Sequence, residues 1–324
     1  FTGKDEEFSY NAAYAAPDFS GRRICDARVW TFFNRYADGM DRYIPWAEGI
    51  APDAEPMPLW VKPNRQLDVS DVETAMRDHF EGTPFAVSGD MQKDGDIGGG
   101  IWEMPYRPTP LYFTVDGKKY FNERPVSTQQ AGFVFVSQMR SWLPRQVGGC
   151  FWFANDDGNM VPFTPVYCCT TEAPRPYNTP GADALNFSFD NAFWVQNWVS
   201  NMVYPRYSML FPSLEQVRDS LDHSYFCAQK EVEDKALTLA EPERVKFLTA
   251  YTAEKAEQML ARWKQLATYL IVKYNDMTSK PEAEGRFLRT PDGLGATVKR
   301  PGYPERYVKE LIKNTGKTYE VPQE

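Results

Sequence analysis

The chain has 324 residues, enough to bury a sizeable core in one large domain or two smaller ones. A formal net charge of −8 with no basic run excludes a nucleic-acid backbone as partner, and no apolar stretch of about 18 residues is present to span a membrane. Aromatic residues make up 15% and there are 25 prolines, which points to ordered, extended connections between elements.

The opening FTGKDEEFSYNAAYAAPDF has no initiator Met and no targeting character, and it reads as a mid-protein segment. A processed N-terminus or a fragment is the expectation. One helix is predicted near Asp26 to Tyr36, followed by the proline-punctuated arm IPWAEGIAPDAEPMPLWVKP. The next helix is well signalled. Asp68 or Ser70 caps it, Asp71 and Glu73 favour its positive end, and Val72, Ala75, Met76 and His79 or Phe80 share a face until Gly82 stops it. GDMQKDGDIGGG, from Gly89 to Gly100, is a loop whose Asp90, Asp94 and Asp96 miss the calcium-loop pattern because no Glu closes it.

A β-rich part follows. PLYFTVDGKKYFNER is a hairpin turning at Asp116-Gly117. AGFVFVSQMRSWL, GGCFWFANDD and VPFTPVYC are further strands, and runs such as FVFV and CFWF predict burial on both faces of a sheet. After the Pro-rich TTEAPRPYNTPGAD the pattern turns helical, first over Phe189 to Tyr204. A helix capped by Ser213 then carries Leu214, Val217, Leu221, Ala228 and Val232. Another, from about Ala253, carries Ala256, Met259, Leu260, Trp263, Leu266, Ala267, Leu270 and Tyr274 on one face. The two form an antiparallel pair. The expected organisation is therefore a β-rich core portion with wrapping arms over 1–180, a helical region over 181–280 and an extended surface tail over 281–324.

Five cysteines without a CxxC or Cys/His cluster argue against a zinc site or a dense disulfide framework, and most are expected as small buried residues. Only His79 and His223 are present, both on predicted helices, so a triad is poorly supplied. No phosphate-binding, dinucleotide or HExxH motif occurs, and no cofactor or metal is expected. A hydrolase this poor in histidine fits a mechanism whose base is an α-amino group, with a pKa of about 8.

Long blocks of the chain are similar to one family. They are RICDARVWTFFNR, PMPLWVKPNRQLDVSDVETAMRDHFEGTPF, YFNERPVSTQQAGFVFVSQMRSWLP, GGCFWFANDD, FWVQNWVSNMVYPRYSMLFPSLEQVRDSL and RWKQLATYLIVKYND. The chain resembles the bacterial cysteine dipeptidases of the N-terminal-nucleophile (Ntn) hydrolases, relatives of the bile-salt and penicillin V acylases. The resemblance implies an α+β fold, the αββα sandwich, incomplete here and extended by a helical C-terminal part. It also implies a cysteine nucleophile at a mature N-terminus, dipeptide substrates and export to the periplasm or outside the cell. Cys25 lies inside the chain with no free amine, so the nucleophile is expected in a segment or chain upstream of Phe1, leaving this chain inactive alone.

By the same resemblance, Arg140 matches an arginine near the nucleophile, and the alternative is a structural pairing with Asp156 or Glu123. Gln129 and Gln130 are placed to line the substrate cleft. Asp156 and Asp157 are candidates to bind a substrate amine, although an Asn-Asp-Asp-Gly run more commonly makes a turn. Assembly into a homo-oligomer is left open. A reading from another class is a non-catalytic peptide- or glycan-binding subunit using the aromatic residues, whose plain role is core packing.

Overall fold

The computed structural model describes residues 8, 10–14, 18–51, 53–86, 106, 112–121, 124–303 and 305–322. The acidic loop from Gly89 to Gly100 lies outside them, as does Glu123. The fold is mixed α+β, and the chain divides into two compact units: Phe1–Val87 with Pro105–Thr128, and Ser88–Met104 with Gln129–Glu324.

In the smaller unit a π-helical turn, Arg22–Asp26, leads into helix α1, Ala27–Tyr36. Its inward face carries Ala27 and Trp30, which pack with Met40, Tyr43, Phe80 and Phe85 into one apolar cluster. The Trp30 indole N–H donates to the Met40 carbonyl at 2.8 Å, so this large ring is buried with its polar atom paired. Helix α2, Val69–Met76, is capped by Asp68, whose carboxylate accepts from the Asp71 amide while Asp71 reciprocates.

α2 ends one turn earlier than predicted, so His79 is in a loop and not on a helix. Asp78 causes the break: its carboxylate accepts from the Phe80 amide at 2.8 Å, from Thr31 Oγ1 at 3.1 Å and from Arg35 Nε at 2.7 Å. Phe80 turns at φ +67° and enters the core. Strands β1, Tyr112–Val115, and β2, Lys118–Phe121, pair antiparallel. Asp116 and Gly117 both have positive φ, +50° and +75°, as a two-residue hairpin turn needs.

The larger unit is built on a three-stranded antiparallel sheet of β3, Phe133–Met139, β4, Gly149–Asn155, and β5, Thr164–Tyr167. Helices α3, Ala192–Val203, α4, Tyr207–Leu237, and α5, Glu241–Tyr274, pack with it. The inward residues are Val134 and Val136 of β3, Cys150, Trp152 and Ala154 of β4, and Tyr167 of β5. The alternate residues Phe133, Phe135, Met139 and Phe151 are exposed. The expectation of burial on both faces is therefore corrected. The strands alternate, and their outer face is an aromatic surface on which Phe135 meets Phe151 edge-on at 5.4 Å.

The two long helices begin earlier than predicted, and α3 begins three residues later. α4 starts at Tyr207 and runs through Pro212, which costs a helix this near its start one backbone bond. Ser213 is inside it, with its hydroxyl 2.8 Å from that of Tyr274. α5 starts at Glu241 with Pro242 and two acidic residues in its first turn. The last segment is not simply extended, since it forms a small hairpin and helix α6, Glu305–Thr315. Of the cysteines only Cys150 is buried, correcting the expectation for most of them, and all five are free thiols.

Candidate functional site

The five candidate residues fall at the two ends of β3. Gln129 and Gln130 form the turn before it, and Gly132 in that turn accepts from the Asp156 amide at 3.0 Å. Arg140 follows its last residue, and seven strand residues separate the ends by roughly 23 Å. The structure thus gathers Gln129, Gln130, Asp156 and Asp157 in one place and Arg140 in another.

Arg140 is fastened by the turn that joins β3 to β4. Its amide donates to the Gly148 carbonyl at 2.8 Å, and a Cβ at position 148 would lie 2.5 Å from the Arg140 carbonyl oxygen, so only glycine closes this turn. The guanidinium forks onto Glu233 of α4, Nη1 to Oε2 at 2.7 Å and Nη2 to Oε1 at 2.6 Å, and Nη2 also reaches the Val147 carbonyl at 3.0 Å. The Tyr167 hydroxyl donates to the same Glu233 carboxylate at 2.9 Å. Arg140 therefore pairs with Glu233, and not with Asp156. Burial pushes the Tyr167 hydroxyl and the Cys150 thiol well above their ordinary ranges, so both stay neutral. This end of the sheet holds a charge-assisted tie between strand and helix.

At the other end Asp156 stands at φ +70° and is fully buried. Its carboxylate accepts from Ser200 Oγ at 2.6 Å and from Asn197 Nδ2 at 3.0 Å, both on α3. Burial pushes it up to about 7, with the neighbouring Asp157 adding to the rise and the hydrogen bonds opposing it. Asp157 is also fully buried, and it accepts from the Tyr204 hydroxyl at 3.1 Å. Next to it, Arg218 of α4 donates to the Asn159 carbonyl at 2.6 Å and side-chain oxygen at 2.9 Å. The turn is a buried dock for two helices.

Sequence reasoning missed Glu233, Ser200, Asn197 and Arg218. A signal was present for α4: Arg218, Tyr225, Gln229 and Glu233 share helical spacing and are all buried, whereas of the apolar stripe Leu214, Val217, Leu221, Ala228 and Val232 only Leu214 is buried. The structure also sets Cys227 Sγ 3.5 Å from His223 Nε2, four residues apart on the exposed side of α4.

The model of Peptidase family C69 matches residues 1–220. The chain belongs to peptidase family C69. It is also similar to dipeptidase A of Lactobacillus helveticus, with 22% identity over 154 residues. That alignment covers 48% of this chain and 27% of the relative, so the chain matches about a quarter of that protein's length. In this C69 chain the matched residues take in α1, the β3–β5 sheet, α3 and the start of α4, and with them both ends of β3.

Proposed function

We propose that this chain is the sheet-and-helix portion of a cysteine dipeptidase whose nucleophile lies outside residues 1–324. The family match over residues 1–220 carries the reading. Two features of the molecule support it. The three-stranded sheet has helices on one face and aromatic residues exposed on the other, as one half of an αββα sandwich would. Burial raises the thiols of Cys150, Cys168 and Cys169, which makes them poor nucleophiles.

In this reading a cysteine thiolate on the missing segment attacks the peptide carbonyl, and its own α-amine carries the proton to the leaving amine. The second layer rests on Phe133, Phe135 and Phe151. Arg140 acts as a positioning residue: it anchors the end of β3 to α4 through Glu233 and keeps the sheet in register beneath the nucleophile. Export, which the resemblance implies, belongs to the same reading.

Intact masses and N-terminal sequences of every polypeptide in the native protein test it first. A companion segment starting with cysteine, with dipeptide hydrolysis abolished by alkylation of that cysteine, is the expected result. Turnover of dipeptides by residues 1–324 alone would overturn the reading. The exposed aromatic face also favours a second reading, a binding platform for peptides or glycans. A native protein with no such segment, and with ligand-dependent quenching of Trp142, would support that instead; Trp142 is 77% exposed.

A further inference from the structure

Helix α4 carries one pair of side chains that the reading above leaves unused. His223 and Cys227 are four residues apart, so both leave the same side of the helix, and both are exposed. The Cys227 sulfur stands 3.5 Å from His223 Nε2 and 3.8 Å from Nδ1. Among the described residues neither group has another hydrogen-bond or ion-pair partner. The helix beneath them is anchored. Tyr225 and Gln229 are buried on its opposite side, and Gln229 Nε2 donates to Gln138 Oε1 of β3 at 2.6 Å.

Imidazole and thiolate are the nitrogen and sulfur ligands of Zn2+, which binds them at roughly 2.0–2.1 Å and 2.3 Å in a tetrahedral set. Two such ligands on one tetrahedral ion stand roughly 3.5–3.6 Å apart. The 3.5 Å between Cys227 Sγ and His223 Nε2 matches that edge. Mg2+ and Ca2+ take oxygen ligands, and this pair offers none. A nucleophilic dyad needs a third group to orient its imidazole. Among the described residues nothing besides Cys227 holds the His223 ring. With the helix fixed, only the short histidine and cysteine side chains remain to be ordered around an ion, so little entropy opposes it.

We propose that His223 and Cys227 form a Zn2+ site on the outer side of α4. The ion binds His223 Nε2 and the Cys227 thiolate, and the thiol proton passes to solvent. Among the described residues no third histidine, cysteine or carboxylate joins them. Water fills the remaining positions, and the ion is exchangeable. Both residues lie beyond the 1–220 matched by the family, so the assignment stands apart from the dipeptidase reading.

Co2+ in place of Zn2+ makes the site visible. Titrating the intact protein with Co2+ should raise a thiolate-to-metal absorption band in the near ultraviolet. The band should saturate at one ion per chain and be removed by Zn2+. C227S should lose it, whereas C25S and C168S, at the other exposed thiols, should keep it. H223A should need roughly tenfold or more Co2+ to reach half-saturation, since even the supporting partner of a ligand is worth that much. In the unaltered protein Zn2+ should slow alkylation of Cys227 by iodoacetamide, mapped by peptide mass, and leave Cys25 unchanged.

No band, a band that survives in C227S, saturation at another ratio, or H223A titrating as the unaltered protein does would overturn the proposal. Equal alkylation of Cys227 with and without Zn2+ would overturn it too. The alkylation arm uses the unaltered protein, so it stands even if a variant folds poorly. None of these readouts depends on peptide hydrolysis, so failure here and failure of the dipeptidase reading are told apart.

Discussion

Asp156 is a carboxylate that the fold keeps from water, and its titration is a property of the folded state. Its native pKa of about 7 lies above the ordinary 3.8, so the folded chain retains a proton that the unfolded chain releases. Its contribution to stability is therefore fullest below the unfolded value and is lost as pH rises from about 4 to about 7. Thermal melts should show this decline, and D156N, which has no charge to bury and tolerates positive φ, should flatten it. D156A should instead cost ~1–3 kcal/mol at all pH values, because the Ser200 and Asn197 donors lose their acceptor.

Arg140 allows a second test. R140M leaves the Glu233 carboxylate buried without its partner and should cost about 3–5 kcal/mol in denaturant unfolding. The double variant R140M/E233Q should recover much of that, which a purely catalytic role for Arg140 would not predict. The sequence singled out both Asp156 and Arg140 as site candidates, and the structure gives each a buried partner. Their partners were not singled out: Glu233 lies 93 positions along the chain and Ser200 lies 44, and local pattern says nothing about pairs so far apart.

Among the elements, the sheet and the long helices show where pattern informs and where it fails. The Asp116-Gly117 hairpin was readable because a two-residue turn with positive φ at both positions demands that chemistry. The stripe from Ala256 to Tyr274 was readable because α5 buries an almost wholly apolar face. α4 was misread by one position, since its buried face carries Arg218, Gln229 and Glu233, whose burial depends on partners supplied by the sheet turns.

The sheet was misread differently. Apolar residues at every position of FVFV suggested two covered faces, and among the described residues only one is covered. The two faces should therefore answer differently to the same change. V136S, at a site 6% exposed, should cost about 2–3 kcal/mol through lost packing and a buried hydroxyl. F135S, at a site 45% exposed, should cost about 1 kcal/mol through its two exposed aromatic pairs, with Phe151 and Phe133. If a second layer does rest on Phe135, F135S should block its association with this chain in a pull-down while leaving the chain's own melting almost unchanged.

At the scale of the molecule, two compact units, each with its own core, predict two transitions by calorimetry in place of one. D78A should identify the smaller unit's transition. It strips Thr31, Arg35 and the Phe80 amide of a common acceptor and should lower that transition alone, by about 3–5 kcal/mol. The division itself was not legible, because the smaller unit is assembled from two separated stretches of chain, and composition does not change where they meet. β3 carries a further implication. Among the described residues it hydrogen-bonds to β4 alone, and its sequence FVFVSQM has neither a charge nor a proline to deter another strand. One row of its backbone donors and acceptors therefore has no strand partner among the described residues, beside aromatic side chains that already stack. A strand of this composition favours pairing with a second copy wherever that row is left unpaired, so S137K, a charge at an exposed position of β3, should lower concentration-dependent thioflavin T binding.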